Sequence, residues 1–269
     1  MNNLYALLLG SVQGLTEFLP ISSSGHLVLL ENYLKLDISQ MKSFDVALHM
    51  GTLFAILVYF RKDVWEMIKA FFGLFMGKSE KANPYVKLII YIIVGSIPAV
   101  LLGYFAGDYI DNLFRNTQQV AINILVVAVI FLFGEFVYAK MYKNGHRNMN
   151  WVKALIIGIA QSVALVPGIS RSGASIVAGL FQGIKREEAA RFSFLLGIPA
   201  IAGAGLLTYL KLGDGGFVAV NTSELLIGFT SSFIVGMASI AFLMRFLRNH
   251  GLTVFAIYRI LLAGFLLLV

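Results

Sequence analysis

The strongest constraint on the fold of this chain is a pair of matched stretches, each of which interrupts an apolar segment. The first is QGLTEFLPISSSGH, from Gln13 to His26, and the second is QSVALVPGISRSGA, from Gln161 to Ala174. An offset of 148 positions places Gln on Gln and aligns the pattern Ile-Ser-x-Ser-Gly with itself. Because proline, glycine and consecutive serines interrupt helices, each stretch predicts a helix, a break and a second helix, the second one beginning near His26 or Ala174.

The two stretches carry different polar groups at their aligned positions. In three aligned pairs one residue is ionisable and the other is not: Glu17 with Leu165, Ser23 with Arg171, and His26 with Ala174. The first break therefore supplies a carboxylate and an imidazole, and the second supplies a guanidinium. If the breaks meet, these groups form one site.

Composition places the chain in a membrane. Of its 269 residues, 58% are hydrophobic and 13% are charged, whereas a soluble domain carries about 25% charged residues. Cysteine is absent, which excludes disulfides and thiolate metal sites, and the N-terminus lacks the basic region of a signal peptide. Much of the net charge of +7 lies in loops beside apolar segments, where membrane orientation explains it better than a nucleic acid partner does.

Apolar segments predict an all-α integral membrane protein with an internal duplication. The first half, 1–150, has one broken stretch and three segments of spanning length, and the second half, 151–269, repeats this order. The six segments are 44–60, 86–105, 118–139, 189–210, 225–246 and 253–269. Residues 64–76 predict a helix that lies at the membrane interface.

Loop charge predicts the topology. The loop 61–87 is rich in lysine and is expected in the cytoplasm, whereas Arg115 alone carries positive charge in the loop 107–117. If 151–183 crossed the membrane, Lys185, Arg186 and Arg191 would lie outside, so this stretch is expected to turn back. The prediction is six transmembrane helices plus two re-entrant hairpins, 2–30 and 151–183, which enter from opposite faces as an inverted-topology repeat.

The chemistry of the two breaks suits a phosphate ester or diphosphate. Helix N-termini, hydroxyls and a guanidinium bind such anions. Tight helix packing through small residues explains a few serines and glycines, but it does not explain Glu17, His26 and Arg171 at one depth. Glu17, with Gln13 one turn earlier, could also ligate a hard divalent cation.

A second pair of polar residues lies on the first predicted span. Asp45 and His49 are four positions apart and share a helix face. They either support the site, or Asp45 caps the start of its helix; the sequence leaves both interpretations open.

Two long motifs carry a resemblance to a known family. They are Gln13-Gly-Leu-Thr-Glu17-Phe-Leu-Pro-Ile-Ser-Ser-Ser-Gly-His26 and Pro167-Gly-Ile-Ser-Arg171-Ser-Gly-Ala-Ser175. The chain resembles the undecaprenyl-diphosphate phosphatase family, also called the bacitracin-resistance (BacA/UppP) family. The likeness covers essentially the whole chain, including Phe255-Ala-Ile-Tyr-Arg259 near its end.

The resemblance implies a hydrolase of the bacterial inner membrane. Such enzymes remove the terminal phosphate of undecaprenyl diphosphate, which recycles the lipid carrier of cell-wall synthesis and gives bacitracin resistance. The resemblance further implies two re-entrant helix pairs, six spans, a site open to the extracytoplasmic side and a requirement for Mg²⁺ or Ca²⁺. A homodimer is compatible with it, although no residue requires one.

Residue roles follow from the resemblance by position. The implied catalytic set is Glu17, Ser23, His26 and Arg171, with Glu17 also a metal ligand and Ser23 preferred over His26 as the nucleophile. The implied substrate-binding residues are Gln13, Ser22, Ser24, Gly25, Ser170, Ser172, Gly173 and Ser175. Because Gln13 cannot act as a base, a mechanism with two carboxylates is not expected.

Two other functions were weighed against this prediction. The type-2 phosphatidic acid phosphatases need a histidine six residues after the arginine, where this chain has Val177, and no Lys-x6-Arg-Pro motif occurs. A polyprenyl-phosphate flippase would also need a phosphate cradle, and inverted repeats with broken helices are typical of transporters. Release of inorganic phosphate distinguishes the enzyme from the flippase.

Overall fold

The protein is helical throughout the part of the chain that the computed structural model describes, which is residues 2–36, 38–77, 83–114, 117–142, 148–212 and 221–268. These ranges contain eleven α-helices and no β-strand. In chain order they are α1 (Asn3–Phe18), α2 (Ser23–Tyr33), α3 (Ile38–Tyr59), α4 (Arg61–Phe75), α5 (Pro84–Phe114), α6 (Thr117–Met141), α7 (Trp151–Val163), α8 (Arg171–Phe181), α9 (Arg186–Leu212), α10 (Thr222–Phe246) and α11 (Thr253–Leu268). Arg115, used above to place a loop, lies outside the described residues.

Four helices are long and apolar enough to cross a membrane: α5, α6, α9 and α10. The pair α3 and α4 makes a fifth candidate if it counts as one bent span, and α7 and α11 are shorter apolar helices. Large apolar side chains such as Phe105 (78% exposed) and Leu261 (69% exposed) face outward, as lipid-facing residues do. The chain is therefore a multi-pass membrane protein.

The predicted segments agree with this architecture in part. The segments 86–105, 118–139, 189–210 and 225–246 lie within the four spanning-length helices. The segment 44–60 ends at a sharp bend of 78°, where α3 gives way to α4. The bend falls at Phe60, directly before Arg61, Lys62 and Asp63, because these charged side chains cannot continue into an apolar layer. The helix predicted for 64–76 is α4.

The two halves begin in the same way. Asn2 caps α1 by accepting a hydrogen bond from the backbone N–H of Tyr5, and Asn150 caps α7 by accepting one from that of Lys153. Each of these helices then packs against a helix of the other half: α1 lies along α10, and α7 lies along α5. The halves are thus interlocked.

Glycines permit these two helix pairs to approach closely. A Cβ atom on Gly14 of α1 would lie 2.6 Å from the carbonyl oxygen of Ser232 in α10. A Cβ atom on Gly158 of α7 would lie 2.1 Å from the carbonyl oxygen of Gly95 in α5. Small residues allow backbone contact of this kind between membrane helices. The two helices that lead into the breaks are consequently held firmly in place.

Candidate functional site

Each break ends in a serine that caps the following helix. Ser22 and Ser170 adopt the left-handed φ values of 77° and 71°, which non-glycine residues rarely adopt. The hydroxyl oxygen of Ser22 accepts a hydrogen bond from the N–H of Gly25, and that of Ser170 accepts one from Gly173. Strained backbone of this type is found mostly at functional sites.

The helices after the breaks begin three residues earlier than the sequence predicted. They start at Ser23 and Arg171, not near His26 and Ala174. The physical reason is the serine cap, which places the Ser-x-Ser-Gly pattern inside the first turn. The first intrahelical bonds run from His26 N–H to the carbonyl of Ser22 and from Ala174 N–H to that of Ser170. Since the N–H groups of Gly25 and Gly173 bond to the serine caps, the N–H groups before them in the first turn of each helix are the ones suited to bind an anion.

The two breaks meet at an ion pair. The Arg171 Nη2 atom, at the start of α8, donates to the Glu17 Oε1 atom of α1 over 2.9 Å. Glu17 is only 6% exposed. Its second oxygen, Oε2, accepts hydrogen bonds from Ser23 Oγ at 2.7 Å and from Gln13 Nε2 at 3.2 Å. The expected proximity of the carboxylate and the guanidinium is therefore observed, and Ser23 shares that carboxylate.

Arg171 has one donor nitrogen to spare. Its Nη1 atom is buried and has no hydrogen-bond partner among the described residues. That nitrogen lies against Gly197 in the middle of α9, where an added Cβ would be 1.9 Å away. Because buried donors are nearly always satisfied, this one is suited to an anionic ligand. Sequence reasoning missed Gly197, since a glycine within an apolar helix gives no sign of which side chain it accommodates.

His26 is hydrogen-bonded at both of its ring nitrogens. Nδ1 lies 2.7 Å from the carbonyl oxygen of Ser22, and Nε2 lies 2.7 Å from the hydroxyl of Tyr258 in α11. The rings of His26 and Tyr258 are stacked, with centroids 5.8 Å apart and planes 10° from parallel. In the described part of the chain, His26 therefore approaches the C-terminal helix and makes no hydrogen bond to Glu17 or Ser23.

Arg259 connects the two breaks through hydrogen bonds. Its side chain has no exposed area, and its guanidinium donates to three carbonyl oxygens: Pro20 in the first break (3.4 Å), Gly168 in the second break (2.7 Å) and Ile124 in α6 (3.2 Å). In the sequence, Arg259 stands out only as the last residue of the segment Phe255-Ala-Ile-Tyr-Arg259 that belongs to the family resemblance. An arginine inside an apolar C-terminal segment was itself a signal of a functional position.

The remaining serines differ in what they contact. Ser170 Oγ and Ser172 Oγ lie 3.3 Å apart and are buried, whereas Ser24 is exposed and its Oγ is 3.5 Å from that of Ser22. Ser175 Oγ lies within hydrogen-bonding distance of the Arg171 carbonyl (2.7 Å) and of Ser193 Oγ in α9 (2.5 Å). Gly25 and Gly173 contribute backbone N–H groups to the caps. Ser175 thus ties α8 to α9 in this structure.

Of the second polar pair, His49 approaches the site. Its Nε2 atom lies 4.0 Å from Glu17 Oε2, and its Nδ1 atom faces the carbonyl oxygen of Asp45 at 2.8 Å. The structure thus places the imidazole beside Glu17 and places the backbone of Asp45 behind it. This arrangement favours the supporting interpretation for His49.

The oxygen ligands at Glu17 and beside it could hold a hard cation only if oxygen atoms of the substrate complete the coordination. Across the described ranges, no three His, Asp or Glu side chains cluster in a way that could hold a metal ion. Gln13 Oε1 is buried beside Glu17 and has no hydrogen-bond partner within those ranges. A carboxylate oxygen and an amide oxygen are ligands that Mg²⁺ and Ca²⁺ accept, but the six or more positions of such an ion need further oxygens.

A cavity of about 400 Å³ lies elsewhere in the molecule. Its walls come mainly from α5 and α9 and include Tyr85, Tyr91, Arg191 and Phe192. None of its lining residues belongs to either break. The candidate site is therefore identified by its polar contacts rather than by the volume of a cavity.

Fold and site together define a class of protein. It is a helical, multi-pass membrane protein whose two halves each contribute a broken helix pair to one buried cluster of carboxylate, guanidinium, hydroxyl and imidazole groups. Such a cluster suits the binding of a phosphorylated substrate.

Comparison with known proteins identifies the family. The model of the family "Bacitracin resistance protein BacA" matches residues 6–265. The undecaprenyl-diphosphatase of Rubrobacter xylanophilus is 43% identical over 262 residues, which cover 97% of this chain and 96% of the relative. The undecaprenyl-diphosphatases of Thermomicrobium roseum and Korarchaeum cryptofilum are each 42% identical, over 100% and 94% of this chain and 98% and 94% of their own lengths. The chain belongs to the BacA family.

Proposed function

We propose that this protein hydrolyses undecaprenyl diphosphate to undecaprenyl phosphate and inorganic phosphate, which recycles the lipid carrier of cell-wall synthesis and gives bacitracin resistance. The observation that carries the proposal is the contact of Glu17 with both Arg171 and Ser23 at the starts of two helices. This arrangement combines an anion-binding guanidinium, a hydroxyl nucleophile and a base for that hydroxyl. Relatives of full length carry the name undecaprenyl-diphosphatase.

In this proposal the chain is an inverted repeat of six spans and two re-entrant hairpins. The hairpins are α1 with α2 and α7 with α8, and the spans are α3, α5, α6, α9, α10 and α11. The equivalent asparagine caps, the equivalent serine caps and the exchange of packing partners between the halves 1–150 and 151–269 support it. Irregular backbone at membrane depth is tolerated where it lines a protein interior, as both breaks do.

Paired charges support the proposed orientation in a bacterial inner membrane. Arg191 of α9 forms an ion pair with Asp63 of α4, and Arg248, after α10, forms one with Glu187 of α9. These basic residues therefore share one end of the molecule, which the positive-inside rule places in the cytoplasm. At the other end of α10, Ser223 contacts Asn3 of α1. The first hairpin then enters from the extracytoplasmic side, and so does the substrate.

The proposed first step is transfer of the terminal phosphoryl group to Ser23. Ser23 Oγ attacks the terminal phosphorus, the new Oγ–P bond forms and the bridging P–O bond breaks, so that undecaprenyl phosphate leaves. Glu17, 2.7 Å from Ser23 Oγ, accepts the hydroxyl proton. The spare Nη1 of Arg171 and the N–H groups at the two helix starts stabilise the charge on the transferred group.

The second step releases inorganic phosphate. Water attacks the phosphorus of the phosphoserine, Glu17 returns its proton to Ser23 Oγ, and the proton lost by the water passes to His26 Nε2 and then to solvent. Attack by His26 itself is less favoured, because Ser23 and not His26 is hydrogen-bonded to the carboxylate that activates a nucleophile. Bound Mg²⁺ or Ca²⁺ would neutralise the diphosphate, with Glu17 and Gln13 Oε1 holding it together with phosphate oxygens.

The test is phosphate release by the purified protein in detergent with undecaprenyl diphosphate and Mg²⁺. We expect release by the wild-type protein and a loss of about 10³-fold or more in Ser23→Ala. Ser96→Ala is the matched control, because Ser96 in α5 donates to the carbonyl oxygen of Ile92 in its own helix and bonds to no other group among the described residues. A wild-type protein that moves the lipid across vesicles but releases no phosphate would establish a flippase and refute the proposal. Full activity in Ser23→Ala would remove Ser23 as the nucleophile.

A further inference from the structure

The C-terminal helix reaches the candidate site through two adjacent residues. Arg259 bonds to both breaks, and Tyr258 bonds to His26. Tyr258 belongs to the segment Phe255-Ala-Ile-Tyr-Arg259 that the resemblance includes, but neither the resemblance nor the proposed reaction steps give it a role. Its position raises the question of what the Tyr258 hydroxyl does beside the His26 imidazole.

The hydrogen bonds fix which tautomer His26 adopts. Ser22 contributes a carbonyl oxygen, which can only accept, so His26 Nδ1 must carry a proton. In the neutral ring Nε2 is then an acceptor, and the Tyr258 hydroxyl 2.7 Å away donates to it. The nitrogen that can take a proton from water is therefore the one that Tyr258 contacts.

The contact also fixes the orientation of the ring. The His26 and Tyr258 rings lie 5.8 Å apart and nearly parallel, and His26 is anchored at its other end by the Ser22 carbonyl. Tyr258 is itself held by its neighbour Arg259, whose three carbonyl bonds leave α11 little freedom to shift. The ring is thus constrained at both nitrogens.

We propose that Tyr258 is a positioning residue for His26: its hydroxyl donates to Nε2 and holds the ring with this nitrogen unprotonated, ready to accept the proton that the reacting water loses. This inference rests on the proposed phosphatase function. During the reaction the water also approaches Nε2. The water then either displaces the Tyr258 hydroxyl from this nitrogen or shares the nitrogen with that hydroxyl. A hydroxyl in this place orders the base before the substrate arrives.

The experiment compares Tyr258→Phe with the wild-type enzyme by steady-state release of phosphate. Phenylalanine keeps the stacked ring and removes only the hydroxyl. We expect kcat to fall about tenfold, the effect of one lost orienting hydrogen bond, while KM stays within about twofold. The matched control is Tyr104→Phe, because Tyr104 is 75% exposed on α5 and contacts Phe105 rather than the site. That variant should have wild-type kinetics.

A double substitution separates positioning from a general structural effect. If Tyr258 acts through His26, Tyr258→Phe should not lower the residual rate of His26→Ala any further. An equal tenfold loss in both backgrounds would overturn the inference, and so would a wild-type kcat in Tyr258→Phe. If the wild-type enzyme releases no phosphate at all, the proposed function fails instead, so the two failures are distinguishable.

Discussion

Gly197 offers a sharp test of the site, because a single methyl group there would act on Arg171. A Cβ atom at Gly197 would lie 1.9 Å from Arg171 Nη1, 2.7 Å from Cζ and 3.0 Å from Nη2. Ordinary contact begins at about 3.4 Å, so the guanidinium must retreat by about 1.5 Å. Such a movement would break the 2.9 Å bond between Arg171 and Glu17.

The effect on rate should exceed the effect on stability. Overpacking costs about 1–3 kcal/mol, whereas replacing glycine by alanine within a helix gains up to about 1 kcal/mol. The net loss of stability in Gly197→Ala is therefore about 0–2 kcal/mol. A displacement of about 1 Å in a catalytic group costs about 100-fold in rate, equivalent to about 2.7 kcal/mol of transition-state stabilisation. Activity should thus be lost in protein that remains folded.

The assay measures kcat/KM for phosphate release together with thermal unfolding of the purified protein in detergent. Gly203→Ala is the matched control, since Gly203 lies on the same helix and a Cβ atom there meets nothing within 4 Å. We expect Gly203→Ala to keep wild-type activity and Gly197→Ala to lose about 100-fold. A Gly197→Ala enzyme of wild-type activity would show that the position of Arg171 does not govern the reaction.

Three further predictions concern the metal, the hydrogen bonds that Arg259 makes to the two breaks, and the packing of α7 against α5. Chelation of divalent cations should lower phosphate release at least tenfold, and added Mg²⁺ or Ca²⁺ should restore it; a rate unaffected by chelation would refute metal dependence. Arg259→Met leaves three buried carbonyls without their donor and should cost about 3 kcal/mol or more in unfolding free energy, with an unchanged melting temperature as the contrary result. Gly158→Ala should destabilise by about 1–3 kcal/mol, because its Cβ would lie 2.1 Å from the Gly95 carbonyl, whereas Gly107→Ala in open space should not; equal melting temperatures would refute this.

The parts of the fold that could be predicted are those set by local chemistry. Apolar length located four spanning-length helices, and Pro20 and Pro167 with their following serines located the breaks. The starts of α2 and α8 were predicted three residues late, because a serine at positive φ is not anticipated from serine-rich sequence. The separate helix predicted at 64–76 implied a break after the segment 44–60, whereas the angle of 78° between α3 and α4 depends on how the two helices pack.

The residues of the candidate site also differ in whether local sequence predicts them. Glu17 and Arg171 were expected at one site because the duplication aligns the two breaks that carry them, and they form an ion pair in the structure. Tyr258 and Gly197 contribute through contacts with residues more than 20 positions away in the sequence. Partners of this kind become visible only when the helices are packed.

The central claim is that two breaks, one from each half of the chain, form a single phosphate site through Glu17 and Arg171. The most direct test measures kcat/KM for phosphate release in Glu17→Gln, in Arg171→Met and in the double variant, each verified as folded. If the two residues act as one unit, each single change costs about 10³-fold and the double variant is scarcely worse than either. Losses that multiply to about 10⁶-fold in the double variant would mean that the two breaks act independently and would contradict the account.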